Sequence, residues 1–286
     1  MQIRPYKQVD VFTSIPYLGN PLAVVLNGAD LNDTQMQSFA RWTHLSETTF
    51  VLPPSDPKAD YHLRIFTPGG ELPFAGHPTL GSCHAWLEAG GKPKTEGLVV
   101  QQCGVGLVTI RREESRLAFS APPMRRNAPG ATLLARIAKA LGLTAEQIIA
   151  AQLLDNGTAW LGLLLDHTNR VLQLTPNFLD LKDLGYKVGV VAMRAEQAAG
   201  TAGEVPGVEV RAFAPHMGIN EDPVTGSLNA SLAQWLISEG HAPARYLATQ
   251  GACLQRAGHV FIESEPSGQV WVGGHSVTCI DGQVTL

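Results

Sequence analysis

The sequence is poor in charge, in cysteine and in metal-binding patterns, and each shortage excludes a class of protein. Charged residues make up 16% of the 286 residues and the formal net charge is -4, so nucleic acid is not an expected partner. The nine histidines show no H-E-x-x-H spacing, which argues against a metal site. Neither a disulfide framework nor a zinc site is indicated by the four cysteines, which form no C-x-x-C pair: Cys83, Cys103, Cys253 and Cys279.

Long apolar runs are also missing. No run reaches about 18 residues, the length of a membrane-spanning helix, and the first residues, MQIRPYKQVDVF, lack the apolar core of a signal peptide. Membrane is therefore not an expected partner, and we predict a cytoplasmic protein with reduced thiols.

What the sequence does contain is a duplicated segment. ELPFAGH at residues 71–77 aligns without a gap with EDPVTGS at residues 221–227. Upstream, RIFTP at residues 64–68 is echoed by RAFAP at residues 211–215, and the second copy has about three extra residues before its Glu-x-Pro. Downstream, each glycine is followed by an apolar-periodic run that ends in Trp-Leu. Each copy therefore predicts a strand, an irregular turn and a helix.

The turn places Gly76-His77 and Gly226-Ser227 at two helix N-termini, with Ser227 as a predicted N-cap. A helix N-terminus has unpaired backbone N–H groups and a partial positive charge, so it can accept a carboxylate, and glycine allows a ligand to approach. The same pattern also fits two capped helices that bind nothing, and the local motif does not decide between these interpretations.

The length and the duplication indicate two lobes. A segment rich in proline and polar residues, 121–130, marks the boundary, so we predict an N-terminal lobe of residues 1–123 and a C-terminal lobe of residues 124–276. Residues 277–286 are a strand that could return to the first lobe. Many short strands and few long helices predict an α+β fold with mostly antiparallel sheets, in which each sheet surrounds the repeated helix.

Some local predictions can be compared directly with a structure. We predict a helix over residues 32–42 with Met36, Phe39 and Ala40 facing inward, and a second helix over residues 131–141 that ends at Gly142. Thr144 and Gln147 form a capping-box pattern that predicts another helix. Predicted strands include residues 9–12, 22–26, 48–52, 98–102, 105–111, 117–120, 160–165, 171–174 and 188–193.

Several motifs carry a resemblance to a known family. In chain order they are D-x-F at 10–12, GNPLAV at 19–24, SETTF at 46–50, R-x-FTP at 64–68, ELPFAGHPT at 71–79, F-x-P at 213–215 and EDP-x-TGS at 221–227. With these motifs the sequence resembles the PhzF family, the phenazine-biosynthesis-like isomerases, which share the diaminopimelate-epimerase-like fold. The motifs span nearly the whole chain.

The resemblance implies two pseudo-symmetric lobes, each a barrel-like sheet around a central helix, with the active site in the cleft between them and a homodimer overall. It implies that Glu47 of the Ser-Glu-Thr motif is the acid/base, and that His77 and Asp222 are further catalytic residues. The type reaction is the isomerisation of trans-2,3-dihydro-3-hydroxyanthranilate, a proton shift between carbons without metal or organic cofactor. Candidate substrate-binding residues for a small carboxylate are Asn20, Gly76, Gly226 and Ser227.

Relatives that racemise amino acids place a cysteine just before each of the two helix-opening glycines, whereas this chain has Ala75 and Thr225. Because neither side chain can be a thiolate, two-thiol racemisation is disfavoured and Glu47 is the available acid/base. A carboxylate in a closed apolar cleft has its pKa raised towards neutrality, where it can both take and return a proton. Two alternatives stay open: an epimerase acting on a modified amino acid, and a carboxylate-binding protein without catalysis.

Overall fold

The computed structural model describes residues 1–194 and 206–286 of the chain. The backbone forms two compact units, one comprising Met1–Ser120 with Gly273–Leu286 and the other comprising Ala121–Val272. The first boundary between the units thus lies at the start of the proline-rich segment, residues 121–130, from which the lobe boundary was predicted. None of the helices in these two described ranges has both the length and the apolar character needed to cross a membrane.

The first unit is one mixed sheet with two helices. Neighbouring strands pair antiparallel except for β2 with β3 and β4 with β6, which are parallel, and the last strand of the chain pairs with the first. The elements are β1 (Ile3–Val11), β2 (Asn20–Val25), α1 (Asp33–Thr43), β3 (Thr48–Leu52), β4 (Tyr61–Thr67), β5 (Gly70–Leu72), α2 (Gly76–Glu88), β6 (Leu98–Cys103), β7 (Gly106–Arg112), β8 (Leu117–Ser120) and β18 (Ser276–Thr285).

The second unit repeats this pairing scheme. The parallel pairs are now β11 with β12 and β13 with β15, at the positions that correspond to those of the first unit. The elements are β9 (Arg125–Asn127), α3 (Ala131–Leu141), β10 (Ile148–Asp155), β11 (Ala159–Leu165), α4 (Thr168–Gln173), α5 (Phe178–Leu184), β12 (Val188–Met193), β13 (Pro206–Ala214), β14 (Ile219–Asp222), α6 (Gly226–Ser238), β15 (Arg245–Gln250), β16 (Gly258–Ser264) and β17 (Val270–Gly274).

The repeated helices, α2 and α6, are the central helices of their units. Each has buried residues on all sides, as expected of a helix enclosed by other elements rather than lying on a surface. Helix α2 contacts strands β1, β2, β3, β4, β6, β8 and β18, and α6 contacts β10, β11 and β16. The α+β fold with a mostly antiparallel sheet around a central helix in each lobe is therefore confirmed.

Helix α1 confirms the local prediction and leads to the first site residue. Its N-cap, Asn32, accepts a hydrogen bond from the backbone N–H of Gln35, and the Gln35 side chain accepts one from the Asn32 N–H, a complete capping box. The helix ends at His44, which adopts a left-handed conformation with φ 56°. The chain then enters β3 at Thr48, so Glu47 lies at the mouth of that strand.

Two local predictions in the second unit are wrong. Residues 171–174 form most of the last turn of α4 instead of a strand, because Val171 and Leu174, three residues apart, bury one side of a short helix. The capping box of Thr144 and Gln147 is present but opens only a single 3₁₀ turn. The β-branched pair that follows, at residues 148–149, begins β10, a strand that the sequence patterns did not reveal.

Both copies of the duplicated segment contain an arginine–glutamate clamp. Arg64 in β4 donates two hydrogen bonds, of 2.7 and 2.6 Å, to the carboxylate of Glu71 in β5. Arg211 in β13 donates two, of 2.9 and 2.8 Å, to Glu221 in β14. Since β5 and β14 run directly into the central helices, the clamps fix the segments that precede Gly76 and Gly226.

The two clamps differ in exposure, which predicts different contributions to stability. The Arg211 and Glu221 side chains are each 5% exposed, whereas Arg64 is 19% and Glu71 42% exposed. Arg211→Met leaves a buried carboxylate without its counter-charge and removes two hydrogen bonds to the carbonyls of Val171 and Leu174, so it should lower the free energy of unfolding by about 3–5 kcal/mol. Arg64→Met should lower it by about 1 kcal/mol or less.

Urea unfolding of both variants measures this difference. The Arg64→Met variant is the control: it removes the same group from the same place in the duplication, together with an ion pair to the exposed Asp33. Equal losses in the two variants would contradict the assignment of the buried clamp as the stronger one.

Candidate active site

The site in the first unit is built on the N-terminus of α2. Ala75 is the N-cap, with extended backbone at φ −151°, and no side chain in the described ranges caps the helix. Gly76, His77 and Pro78 form the first turn, and Pro78 has no N–H to satisfy. A ligand at this end of the helix would therefore face the backbone N–H groups of Gly76 and His77 and the positive end of the helix dipole.

Glu47 lies beside this helix start. Its Oε2 is 3.5 Å from Nε2 of His77, and the two side chains are 14% and 5% exposed respectively. Burial lowers the pKa of His77 to about 3, so the ring is neutral at pH 7. The contact is consequently between a carboxyl group and an uncharged imidazole, not an ion pair.

Asn20 meets the other side of the imidazole ring. Its Nδ2 is 3.4 Å from Nδ1 of His77, and the residue is 1% exposed. The turn before it is fixed: the N–H of Gly19 donates to Oδ2 of Asp10 at 3.0 Å, and a Cβ at Gly19 would lie 2.2 Å from the carbonyl oxygen of Val11. The predicted contact of Asn20 with substrate stays a prediction, whereas its contact with His77 is observed.

A buried glutamine holds the start of α2. Gln101, in β6, donates from Nε2 to Oγ1 of Thr79 at 3.0 Å, and the Thr79 hydroxyl donates to the carbonyl of Ala75 at 2.9 Å. The hydroxyl of Tyr61 donates to Oε1 of Gln101 at 3.0 Å. This chain of hydrogen bonds sets where the helix begins and therefore where His77 points.

The second unit carries the corresponding site residues at the start of α6. The N-cap is Thr225, not Ser227 as predicted, because the helix already begins at Gly226 and Ser227 is its second residue. The hydroxyl oxygen of Ser227 accepts a hydrogen bond of 3.3 Å from the indole N–H of Trp160. The carbonyl of Ser227 accepts one of 3.2 Å from Nδ2 of Asn156.

Asp222 is held by the residues around the N-cap of α6. The hydroxyl of Thr225 donates to Oδ2 of Asp222 at 2.5 Å, and Nε2 of Gln250 donates to the Asp222 carbonyl at 3.0 Å. Oε1 of Gln250 accepts from the Thr225 N–H and from Nδ2 of Asn229. Asp222 therefore lies in a preorganised hydrogen-bonded setting.

The structure thus brings the predicted residues together in two groups, one in each unit. The first group is Asn20, Glu47, Gly76 and His77, and the second is Asp222, Gly226 and Ser227. Within the described ranges, no group of three or more His, Cys, Asp or Glu residues is arranged to hold a metal ion.

Sequence reasoning missed four residues that support these groups. Gln101 in β6 (LVVQQC) and Gln250 at the end of β15 (RYLATQ) are fully buried, but both strands contain other polar residues, so the sequence pattern does not single these two out. Asn156 lies in an Asp-Asn-Gly turn before β11, much as Asn20 lies in a Gly-Asn-Pro turn at the start of β2. Trp160 gave no signal beyond its place at the beginning of a strand.

Comparison with known proteins identifies the family. The sequence model of the phenazine biosynthesis-like proteins, PhzC-PhzF, matches residues 9–282. The chain belongs to this family. The resemblance drawn from the motifs is thereby confirmed.

Members of the family and their structures resemble the chain over almost its full length. Antisense-enhancing sequence 1 of Schizosaccharomyces pombe is 36% identical over 295 residues, 97% of each chain. The trans-2,3-dihydro-3-hydroxyanthranilate isomerase of Pseudomonas fluorescens is 32% identical, over 98% of this chain and 99% of its own. A solved structure from Pseudomonas aeruginosa, described as a predicted epimerase, superposes with a TM-score of 0.81 at 27% identity over 99% of both chains. The chain is an enzyme, an isomerase or epimerase of the PhzC-PhzF family.

Burial of neutral His77 predicts a pH-dependent stability. An unfolded imidazole takes up a proton near its ordinary pKa of 6.5, whereas the folded one does so only near pH 3. Between these pH values the unfolded state binds more protons than the folded state. The free energy of unfolding therefore falls as the pH falls, by up to about 1.4 kcal/mol per pH unit. Above about pH 6.5 both states are neutral at this ring, and the free energy of unfolding no longer depends on it.

Urea unfolding at about pH 7.5 and about pH 5 measures this effect. The His77→Gln variant should lose less stability than the wild type over that interval. The control variant His44→Asn replaces an exposed histidine and should show the same change in the free energy of unfolding between the two pH values as the wild type. Asparagine tolerates the left-handed backbone at this position. If the free energy of unfolding changed equally with pH in the wild type and in His77→Gln, the ring would not be buried and neutral.

Proposed function

We propose that the chain is a cofactor-independent isomerase that moves a proton between two carbon atoms of a small carboxylate, with Glu47 as the acid/base. The observation that carries the proposal is the place of the Glu47 carboxyl group: mostly buried, 3.5 Å from a neutral imidazole, in the same unit as the uncapped start of α2. General acid/base catalysis needs a proton acceptor held in a site from which water is largely excluded.

Glu47 is a better candidate for the base than His77. Burial lowers the pKa of the imidazole to about 3, so at neutral pH its remaining lone pair has little tendency to take a proton from carbon. In the proposed step, the Glu47 carboxylate removes a proton from one carbon atom and the resulting carboxylic acid returns it to another. The double bond of the substrate shifts, and no net oxidation or reduction occurs.

Backbone and hydroxyl groups would hold the substrate. We assign its carboxylate to the N–H groups at Gly76, where a helix dipole favours negative charge, and Gly226 stays a predicted binding residue. Because the oxygen of Ser227 already accepts the Trp160 N–H, its own hydrogen is available to donate to a substrate oxygen. Asp222, held by Thr225, is proposed as a proton relay.

The relative from Pseudomonas fluorescens is named for its action on trans-2,3-dihydro-3-hydroxyanthranilate, which makes that compound the first one to test. The proposal for this chain extends to the chemical class, a small carboxylate with an abstractable C–H proton. The predicted homodimer, and the predicted site shared by the two lobes, stay predictions.

Epimerisation of a modified amino acid is a second candidate. The similarity to the Pseudomonas aeruginosa protein described as a predicted epimerase supports it. The two-thiol route of racemases is not open at the helix starts, where Ala75 has no polar group and the Thr225 hydroxyl is bonded to Asp222. An epimerase here would use Glu47 to remove and return a proton at one carbon.

Replacement of the base tests the proposal. Glu47→Gln keeps the size and most hydrogen bonds of the side chain but cannot take a proton, so turnover should fall by about 10²–10⁴-fold while ligand affinity is retained. Turnover is followed as product formation and as deuterium incorporation from D₂O into candidate carboxylates, and affinity by calorimetry. Glu146→Gln, at an exposed residue outside the site, is the control and should behave as wild type.

The outcomes separate the candidates. Deuterium at a migrated position supports the isomerase, and deuterium at an unmoved stereocentre identifies the epimerase. Tight binding by the wild type with no exchange in any compound would favour a carboxylate-binding protein instead. Full turnover by Glu47→Gln would overturn the assignment of the base.

A further inference from the structure

Three polar side chains in the first unit lie in a row. Asn20 Nδ2 is 3.4 Å from His77 Nδ1, and on the far side of the ring His77 Nε2 is 3.5 Å from Glu47 Oε2. Asn20 and His77 are 1% and 4% exposed. The imidazole therefore separates an amide from the proposed base and contacts both.

The charge state of the ring determines how many protons it carries. Burial lowers the pKa of His77 to about 3, so at neutral pH the ring holds a single proton, on either Nδ1 or Nε2. The amide nitrogen of Asn20 can only donate a hydrogen bond. In the 3.4 Å contact between them, Nδ1 therefore accepts a hydrogen bond when the ring proton is on Nε2.

With this tautomer the proton on Nε2 lies on the side of the ring where Glu47 Oε2 is 3.5 Å away, a contact that is longer than a formed hydrogen bond. The opposite tautomer would place the Nε2 lone pair against the carboxylate oxygens, an arrangement of two acceptors that is unfavourable at a buried position. We propose that Asn20 is a positioning residue, which holds His77 as the Nε2–H tautomer so that the ring donates towards Glu47 and orients the base. This inference rests on the proposed function only for the role of Glu47.

The backbone around Asn20 prevents the amide from moving away. Asn20 is the first residue of β2 and pairs with Val11 of β1. The N–H of Gly19 is held by Asp10, and the Gly19 backbone is too close to Val11 for any larger residue. The amide is thus presented to the ring by a rigid turn.

The second unit also has an asparagine beside the second residue of its central helix, but that residue is a serine and has no tautomers. Asn156 donates from Nδ2 to the carbonyl of Ser227, which occupies in α6 the place that His77 occupies in α2. An asparagine beside the second residue of the central helix is therefore common to both units. In the first unit the amide contacts a ring that has two proton positions, which gives Asn20 a role that Asn156 does not have.

The tautomer can be read in the unmodified protein without any substrate. Two-bond ¹H–¹⁵N spectra of histidine-labelled wild type distinguish Nδ1–H, Nε2–H and doubly protonated rings, and the signal lost in His77→Gln identifies the ring. We expect a neutral Nε2–H ring from about pH 5 to about pH 8. A ring that is Nδ1–H, or charged in this range, overturns the inference.

A substitution tests the role of Asn20. Asn20→Asp has nearly the same shape, but its carboxylate accepts hydrogen bonds and carries a negative charge. Nδ1 should therefore become protonated, either with loss of the Nε2 proton or as part of a doubly protonated ring. We expect kcat to fall by about 10–100-fold, as for other residues that orient an active group, with KM close to the wild-type value. Asn127→Asp, an exposed residue that gains the same charge, is the matched control and should keep both constants.

The failure of this inference can be told apart from the failure of the proposed function. If Asn20→Asp keeps the Nε2–H tautomer and the wild-type kcat, Asn20 does not position the ring, whatever Glu47 does. If Glu47→Gln retains turnover, the base is wrong but the tautomer is still read from the spectrum. Should Asn20→Asp not fold, Asn20→Leu, which removes the amide donor without adding charge, takes its place: an unchanged Nε2–H ring with the wild-type kcat overturns the inference.

Discussion

The buried glutamines that fix the two central helices are the constraint on which the sites depend. A helix that begins inside a protein must have its first backbone groups held in place, and a start displaced by one residue would turn every following side chain by about 100°. Gln101 prevents this in α2 through Thr79 and the carbonyl of Ala75. Gln250 does so in α6 by bonding directly to the N–H and the hydroxyl of Thr225. His77 and Ser227 point where they do because these starts cannot shift.

The neutrality of His77 decides what kind of partner it is for Glu47. A charged imidazole at 3.5 Å would hold the carboxyl group in its ionised form by Coulomb attraction and would oppose its taking up a proton. A buried neutral ring can orient the carboxyl group without imposing that charge. The desolvation that makes the ring a poor base therefore suits it to assist the proposed base, Glu47, which would have to take up and release a proton in each turnover.

Local signals predicted more of this molecule than distant contacts did. The capping box of α1, the ends of α3 and the two helices that begin at Gly76 and Gly226 follow from residues within a few positions of each other. The contact of Asn20 with His77 joins residues 57 positions apart, and no periodicity encodes it. Residues 171–174 show a further limit, because four apolar-rich residues fit a strand or a helical turn equally well and the surrounding packing decides.

The same scaffold has diverged at the places where chemistry would occur. The residue before the helix glycine is Ala75 in one unit, which offers no polar group, and Thr225 in the other, whose hydroxyl bonds to Asp222. The second helical residue is a neutral imidazole in the first unit and a hydroxyl that accepts an indole N–H in the second. The Arg–Glu clamps, which hold neighbouring strands together, are kept in both copies. Duplication has thus preserved the groups that place the helix starts, while the groups presented at those starts have become different. The first unit presents there a histidine in contact with a carboxyl group, and the second presents a hydroxyl.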